Sequence, residues 1–205
     1  MRIRSFAAAC AAFVFLSGVV EGAGITAHPM DFSTIGIGMA GGYRDYGDFG
    51  KAYGGTVRLW WVPLKYFGVD FRTGYFEESD SEYGDDGYLR RAKYRLMPME
   101  AGLSLILPLG EHFRIHGGGG LGYYSMRAHL SVSSGERAGI NTEDGFGEFV
   151  CAGAMLEFTE QLWLFAEARW TWLRPDLELH YEGGKHDFDL DASGLGVDVG
   201  LIFGF

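Results

Sequence analysis

The chain has 205 residues, a formal net charge of −10, and 33 Gly with 16% aromatic residues but only 5 Pro. That length is one domain by prior, the acidic balance disfavours nucleic acid as a partner, and the composition fits closely packed strands rather than disorder or collagen. No apolar stretch in the body of the chain approaches the ~20 residues a membrane helix needs, so a helical membrane protein is excluded.

Residues 1–24 read as a secretory signal peptide. MRIR is a basic start, SFAAACAAFVFLSGVV an apolar run and VEGAG a small-residue region suited to cleavage after about residue 22 to 24. Residues 25–205 are then a single barrel domain. Cys10 falls within the signal, which leaves Cys151 without an intrachain partner and removes any disulfide framework.

Beyond the signal, bulky and small or polar residues alternate with the period of a strand. Strands are expected at Thr34 to Tyr43, Thr56 to Val62, Phe67 to Phe76, Tyr94 to Leu107, Phe113 to Met126, Phe146 to Phe158, Leu162 to Trp172 and Phe188 to Phe205. The connections alternate too: long and polar at 44–55, 77–93, 127–145 and 173–187, short at VPLKY, LPLGEH and FTEQ. A meander with all its long loops at one end predicts an all-β fold, a closed antiparallel up-and-down transmembrane β-barrel of eight strands in the bacterial outer membrane. Closure joins IGIGMAGGY to GLGVDVGLIFGF and removes edges that hydrocarbon would not tolerate.

Charge assigns the faces. In YFGVDFRTGYF, Phe67, Val69, Phe71, Thr73 and Tyr75 oppose Gly68, Asp70, Arg72, Gly74 and Phe76; in LWLFAEARWTW, Leu162, Leu164, Ala166, Ala168, Trp170 and Trp172 oppose Trp163, Phe165, Glu167, Arg169 and Thr171. An Arg or Lys facing lipid near the midplane costs roughly 2–4 kcal/mol, so the charged set looks inward. This parity places Arg58, Asp70, Arg72, Glu100, His116, Glu167, Arg169 and Asp198 in one lumenal layer, either a salt-bridged plug or a gated polar conduit, since an interior of this size is only just filled by side chains. Inward glycines, Gly118, Gly120, Gly122, Gly194, Gly196 and Gly200, are expected to make room for long neighbours. GGGG at 117–120 lacks the Lys and Ser/Thr of a phosphate loop.

The stretches YRLMPMEAGLSLILPLGEHFRIHGGGGLGYYSM and FVCAGAMLEFTEQLWLFAEARWTW resemble strands of the OmpA/OmpX/OmpW-like small outer-membrane barrels. The resemblance implies recognition by the barrel-assembly machinery through Phe205, with Phe203 and Leu201 at alternate positions before it; an interfacial anchor is the other role open to Phe205.

The loops carry the remaining chemistry. EESDSEYGDD holds six acids from Glu77 to Asp86 without the ligand order of an EF-hand, and LRRAKYR brings Arg90, Arg91, Lys93 and Arg95 to the outer rim, where they are candidates for lipopolysaccharide phosphates. His129, Ser131 and Glu143 resemble the catalytic set of PagL-type lipid A deacylases, but Val132 stands where that family has Asn and the set lies mid-chain. GITAHPMDFS is too short for the leading helix of PagP-type enzymes. No catalytic residue, cofactor or metal is assigned. The expected protein is a monomer with a structural or surface-interaction role through its loops and an unknown surface ligand, the alternative being an OmpW-like passive channel for small or apolar solutes.

Overall fold

The computed structural model describes residues 34–47, 50–64, 66–83, 89–132, 137–142, 144–173, 176–181, 184–189 and 191–205; at 79–83, 89–93, 128–132, 137–142, 176–181 and 184–189 the description is of the backbone alone. Eleven strands follow in order: β1 (Thr34–Asp45), β2 (Lys51–Leu64), β3 (Phe67–Tyr83), β4 (Leu89–Pro108), β5 (Phe113–Val132), β6 (Arg137–Thr142), β7 (Gly145–Thr159), β8 (Leu162–Leu173), β9 (Asp176–Tyr181), β10 (Gly184–Asp189) and β11 (Gly194–Gly204). Eight of them, β1 to β5 with β7, β8 and β11, form the closed antiparallel barrel. β5 pairs with β7 from Phe113↔Leu156 to Tyr124↔Gly145, and β1 seals against β11 from Gly36↔Gly204 to Asp45↔Leu195. Beyond its pairing with β7, β5 continues against β6, which leads to β9 and β10, so the wall extends past the ring at the end opposite the short turns.

Two expectations are corrected here. The segments at 44–55 and 77–93 are largely strand: β2 begins at Lys51, and β3 and β4 remain paired up to Tyr83↔Leu89. Glu77 there stands opposite Arg95 and Glu82 opposite Arg90, the opposite-charge register that supports a ladder without an apolar face. The expected last strand from Phe188 is divided, β10 ending at Asp189 and β11 starting at Gly194. Between them Ser193 N–H donates to Asp191 Oδ1 (2.9 Å), Ala192 N–H donates to the Leu173 carbonyl (2.9 Å), and Leu173 N–H donates to Ser193 Oγ (3.2 Å). Such local side-chain bonds compete with the ladder and end it.

Parity sorts the residues as charge requires. Ile37, Met39, Phe71, Trp170, Val199 and Leu201 are exposed, whereas Arg72, Phe165, Glu167, Arg169 and Asp198 are buried. The interior also holds more apolar volume than the glycine-rich sequence implies. Tyr46, Phe76, Leu96, Tyr124, Met126 and Leu173 pack as a cluster toward the long-loop end, and Trp60, Val62, Ile106, Met155, Trp163, Phe165 and Ile202 pack toward the short turns. The ionic residues lie between the two.

Candidate functional site

The ionic layer is a girdle of four arginines and four carboxylates. Arg44 donates to both oxygens of Asp198 (2.9 and 2.8 Å). Arg58 forks onto Asp70 (3.1 and 2.8 Å) and reaches Glu167 at 3.3 Å. Arg72 bridges Asp70 and Glu167, with its Nε 3.7 Å from Glu100. Arg169 joins Glu100 to Glu167, the latter at 3.1 Å. His116 Nε2 lies 3.0 Å from Glu167, and the Tyr124 hydroxyl donates to Glu100 at 2.7 Å. Glu167 is thus the hub, touched by three arginines and a histidine. Aromatic faces close the shell: Phe76 lies 4.3 Å from the Arg44 guanidinium and Trp60 4.6 Å from that of Arg58. Bidentate forks with further donors on each carboxylate are the geometry in which mutual attraction offsets desolvation.

All eight residues that parity places inward lie buried in this girdle. Arg44 is a ninth member, one residue beyond the Tyr43 end expected for the first strand, and it continues the even-numbered inward series Gly36, Gly38, Ala40, Gly42. With Arg44 included, the formal charges of the four arginines and four carboxylates cancel. Arg114, likewise outside the expected set, is buried near the short turns, 4.0 Å from the Trp163 ring and 3.7 Å from Glu157. Glycines serve two purposes. A Cβ at Gly196 would lie 2.7 Å from Arg44 Cδ, so this position makes room for the girdle, while one at Gly153 would meet both the Ala166 carbonyl oxygen at 2.4 Å and His116 Cε1 at 2.6 Å. Gly118 and Gly120 instead face the β4 backbone, and Gly194 and Gly200 the backbone at Asp45 and at Met39 and Ala40; they permit close strand approach, a correction to their expected role.

Among the described residues the lumen holds two small cavities. One cavity of about 30 Å³ lies among Tyr46, Ala52, Phe76 and Met126, and one of about 20 Å³ among Trp60, Val62, Ile106 and Trp163. Each has room for water at most. A larger concavity, about 620 Å³, lies on the outside of the wall, lined by Val57, Leu59, Thr73, Ala101, Leu121 and Phe146, with Arg72 and Glu100 also contributing.

The wall is interrupted between β3 and β4, as it also is near the short turns between Trp61 and Leu64 of β2 and between Glu157 and Thr159 of β7. β3 and β4 pair at Thr73↔Met99 and again at Phe76↔Leu96, but not at the two positions between, where Gly74 and Tyr75 face Pro98 and Met97. Proline has no N–H to give a ladder. On its other side Pro98 stays in register with Tyr124 of β5.

At the rim, Arg95 pairs in register with Arg127 and donates to Glu77 at 3.2 Å. Tyr75 donates to the same carboxylate at 2.6 Å. Asp144, before the start of β7, keeps its carboxyl below the usual range chiefly because Tyr123 donates to it. Of the other basic rim candidates, Arg90, Arg91 and Lys93 are placed by register opposite Val132, Ser131 and His129. Their side chains, those of His129 and Ser131, and Glu143 altogether, lie outside the described residues. At the seam, Phe203 and Phe205 stack edge to face with centroids 5.2 Å apart, Phe205 N–H donates to the Ile35 carbonyl at 2.8 Å, and Leu201 faces outward opposite Met39.

A closed ring with aliphatic and aromatic residues outside, ion pairs inside and short turns at one end defines a transmembrane β-barrel of the bacterial outer membrane. The chain belongs to the outer membrane protein beta-barrel domain family, whose profile matches residues 6–203. Among solved structures it is similar to the outer membrane protein OprG of Pseudomonas aeruginosa (TM-score 0.69, 12% identity, covering 87% of this chain and 98% of that one). It is also similar to Neisserial surface protein A (0.58, 11%, 84% and 97%) and to Ail, the attachment invasion locus protein of Yersinia pestis, in complex with a heparin analogue (0.52, 16%, 84% and 97%). These likenesses concern the fold. No curated protein sequence matches.

Proposed function

We propose that the protein is a non-catalytic barrel that acts at the cell surface through its extended outer end rather than by passing solutes along its axis. The packed lumen carries this reading: among the described residues two apolar clusters enclose a charge-balanced girdle, with interior cavities of about 30 and 20 Å³. An ion entering such a column would have to displace packed side chains and then break forked ion pairs. Residues 1–24 act as the export signal, and Phe205, Phe203 and Leu201 present the last strand to the assembly machinery. Planar-bilayer recording of the refolded mature chain is expected to show no sustained open steps; regular steps of single-channel size would overturn the reading.

The ladder break at Pro98 favours a second reading, lateral release of apolar solutes from the upper lumen into the bilayer. The break adjoins the apolar cluster of Phe76, Leu96 and Tyr124, and the external concavity lies on the same two strands. Pro98→Val restores a ladder donor and, on this reading, reduces uptake of an apolar dye by cells producing the protein. Unchanged uptake would remove it.

A further inference from the structure

We propose that Tyr46 is a built-in occupant of a ligand site in the upper lumen, and that the site takes a small aromatic solute bearing one hydroxyl, which enters as the Tyr46 side chain swings out. The site deepens the second reading above by naming the solute, and rests on that reading only for the exit past Pro98.

The turn between β1 and β2 is built differently from the neighbouring connections. β3 and β4 stay paired up to Tyr83↔Leu89, and β5 runs on against β6, so those strands rise clear of the barrel mouth. β1 instead stops at Asp45, which pairs with Lys51, and the Tyr46 N–H donates to the Gly50 carbonyl at 2.9 Å. The Tyr46 side chain turns inward and is buried with Ala52, Phe76, Leu96, Tyr124, Met126 and Leu173. Its turn rests on the segment before β11: a Cβ at Gly47 would stand 3.0 Å from the Asp191 carbonyl oxygen, and Ala192 is fully buried in the same cluster. Every other side chain of the cluster larger than alanine stands on a barrel strand; Tyr46 alone is carried by a turn. Gly47 and Gly50 of that turn, at φ +51° and +81°, occupy the left-handed region that glycine enters without steric cost. The side chain beside them pivots while Arg44, two residues back, stays forked onto Asp198.

Tyr46 fills its space closely. The cavity beside it is about 30 Å³, so nothing larger than water fits while it is in place. On swinging out it leaves a hole of its own shape. The walls are Ala52, Phe76, Leu96 and Met126, and the polar point is the Arg44 guanidinium, which faces the Tyr46 hydroxyl and lies 4.3 Å from the centre of the Phe76 ring. A guanidinium donates and cannot accept. The complement of this hole is therefore an aromatic ring with an accepting oxygen at one end, a phenol, and a site built around such a contact rejects the analogue that lacks the hydroxyl.

The test is fluorine NMR of the refolded mature chain in lipid nanodiscs, with fluorotyrosine in place of tyrosine and the Tyr46 resonance assigned from Y46F, titrated with p-cresol or toluene at matched free concentration. With p-cresol the Tyr46 resonance is expected to move, saturably, to the position of a solvent-exposed tyrosine; toluene is expected to need at least tenfold more to do the same. Y46A, in which the site stands open, is expected to bind p-cresol at least tenfold more tightly than the wild type in dialysis corrected for empty nanodiscs, and A52W to bind at least tenfold more weakly than Y46A, each with the heat-modifiable migration of a folded barrel. A Tyr46 resonance unmoved at the solubility limit of p-cresol, equal response to toluene, or folded Y46A binding no more tightly than the wild type would overturn the proposal. No transport enters these measurements, so failure of the lateral exit in the dye-uptake test and failure of the site are told apart.

Discussion

The girdle inside the barrel and the charged row at its rim use the same side chains, arginine, carboxylate and tyrosine, and differ in how completely these are matched. Inside, Arg44, Arg58, Arg72 and Arg169 meet Asp70, Glu100, Glu167 and Asp198 in forked contacts with every member buried. Outside, Arg95 has one carboxylate and a second arginine as its neighbours in register. The cause is the dielectric surroundings. A buried charge without a partner costs several kcal/mol, whereas an exposed ion pair contributes roughly 0–1 kcal/mol, so only the interior is forced to balance. Slack in pairing is tolerated where water and lipid headgroups supply the missing partners.

Substitutions can break that contrast at graded strength. Glu167→Ala removes the hub, takes one carboxylate from each of three arginines and leaves the buried girdle one anion short; a loss of about 3–5 kcal/mol is expected in reversible urea unfolding from vesicles. Trp163→Ala takes out a large member of the cluster near the short turns and the ring over Arg114, with an expected loss of about 3 kcal/mol and the appearance of brief conductance events in a bilayer. Gly196→Leu intrudes on the Arg44 side chain and is expected to cost about 2 kcal/mol, while Gly41→Ala, where a Cβ meets nothing within 4 Å, serves as its neutral counterpart in the same unfolding assay. Arg95→Gln at the rim is expected to change stability by less than about 0.5 kcal/mol, although it exchanges the same kind of charge. A rim effect as large as that of Glu167→Ala would erase the distinction between the two rows.

Where lipid meets the wall the sequence was easy to read, because hydrocarbon rejects charge and so ties parity to face. Asp70 and Arg72 against Val69, Phe71 and Thr73 needed no tertiary information, and eight girdle members followed from that rule alone. Above the membrane the rule lapses. β10 and the upper parts of β3 and β4 have polar residues on both faces, so the ladder persists there without the alternation that marks the membrane span. Arg44 was lost at that boundary. The turn at Asp191 depends on hydrogen bonds from Leu173 to Ser193, 20 residues away in the chain, and from Ala192 to Leu173, and no local pattern announces it. Trp60 and Trp163 sit at inward parity, yet that they pack together below the ions is a property of the closed ring, not of either strand.

The seam between β1 and β11 brings together Arg44 and Asp198, which are 154 residues apart in the chain. Asp198 also lies 3.9 Å from Arg169 on the neighbouring β8, so the seam ties Arg44 into the girdle through a carboxylate held from both sides. Sliding the seam by one residue would reverse a face, and sliding it by two would separate these two charges, so the ion pair favours the one register in which the ring closes.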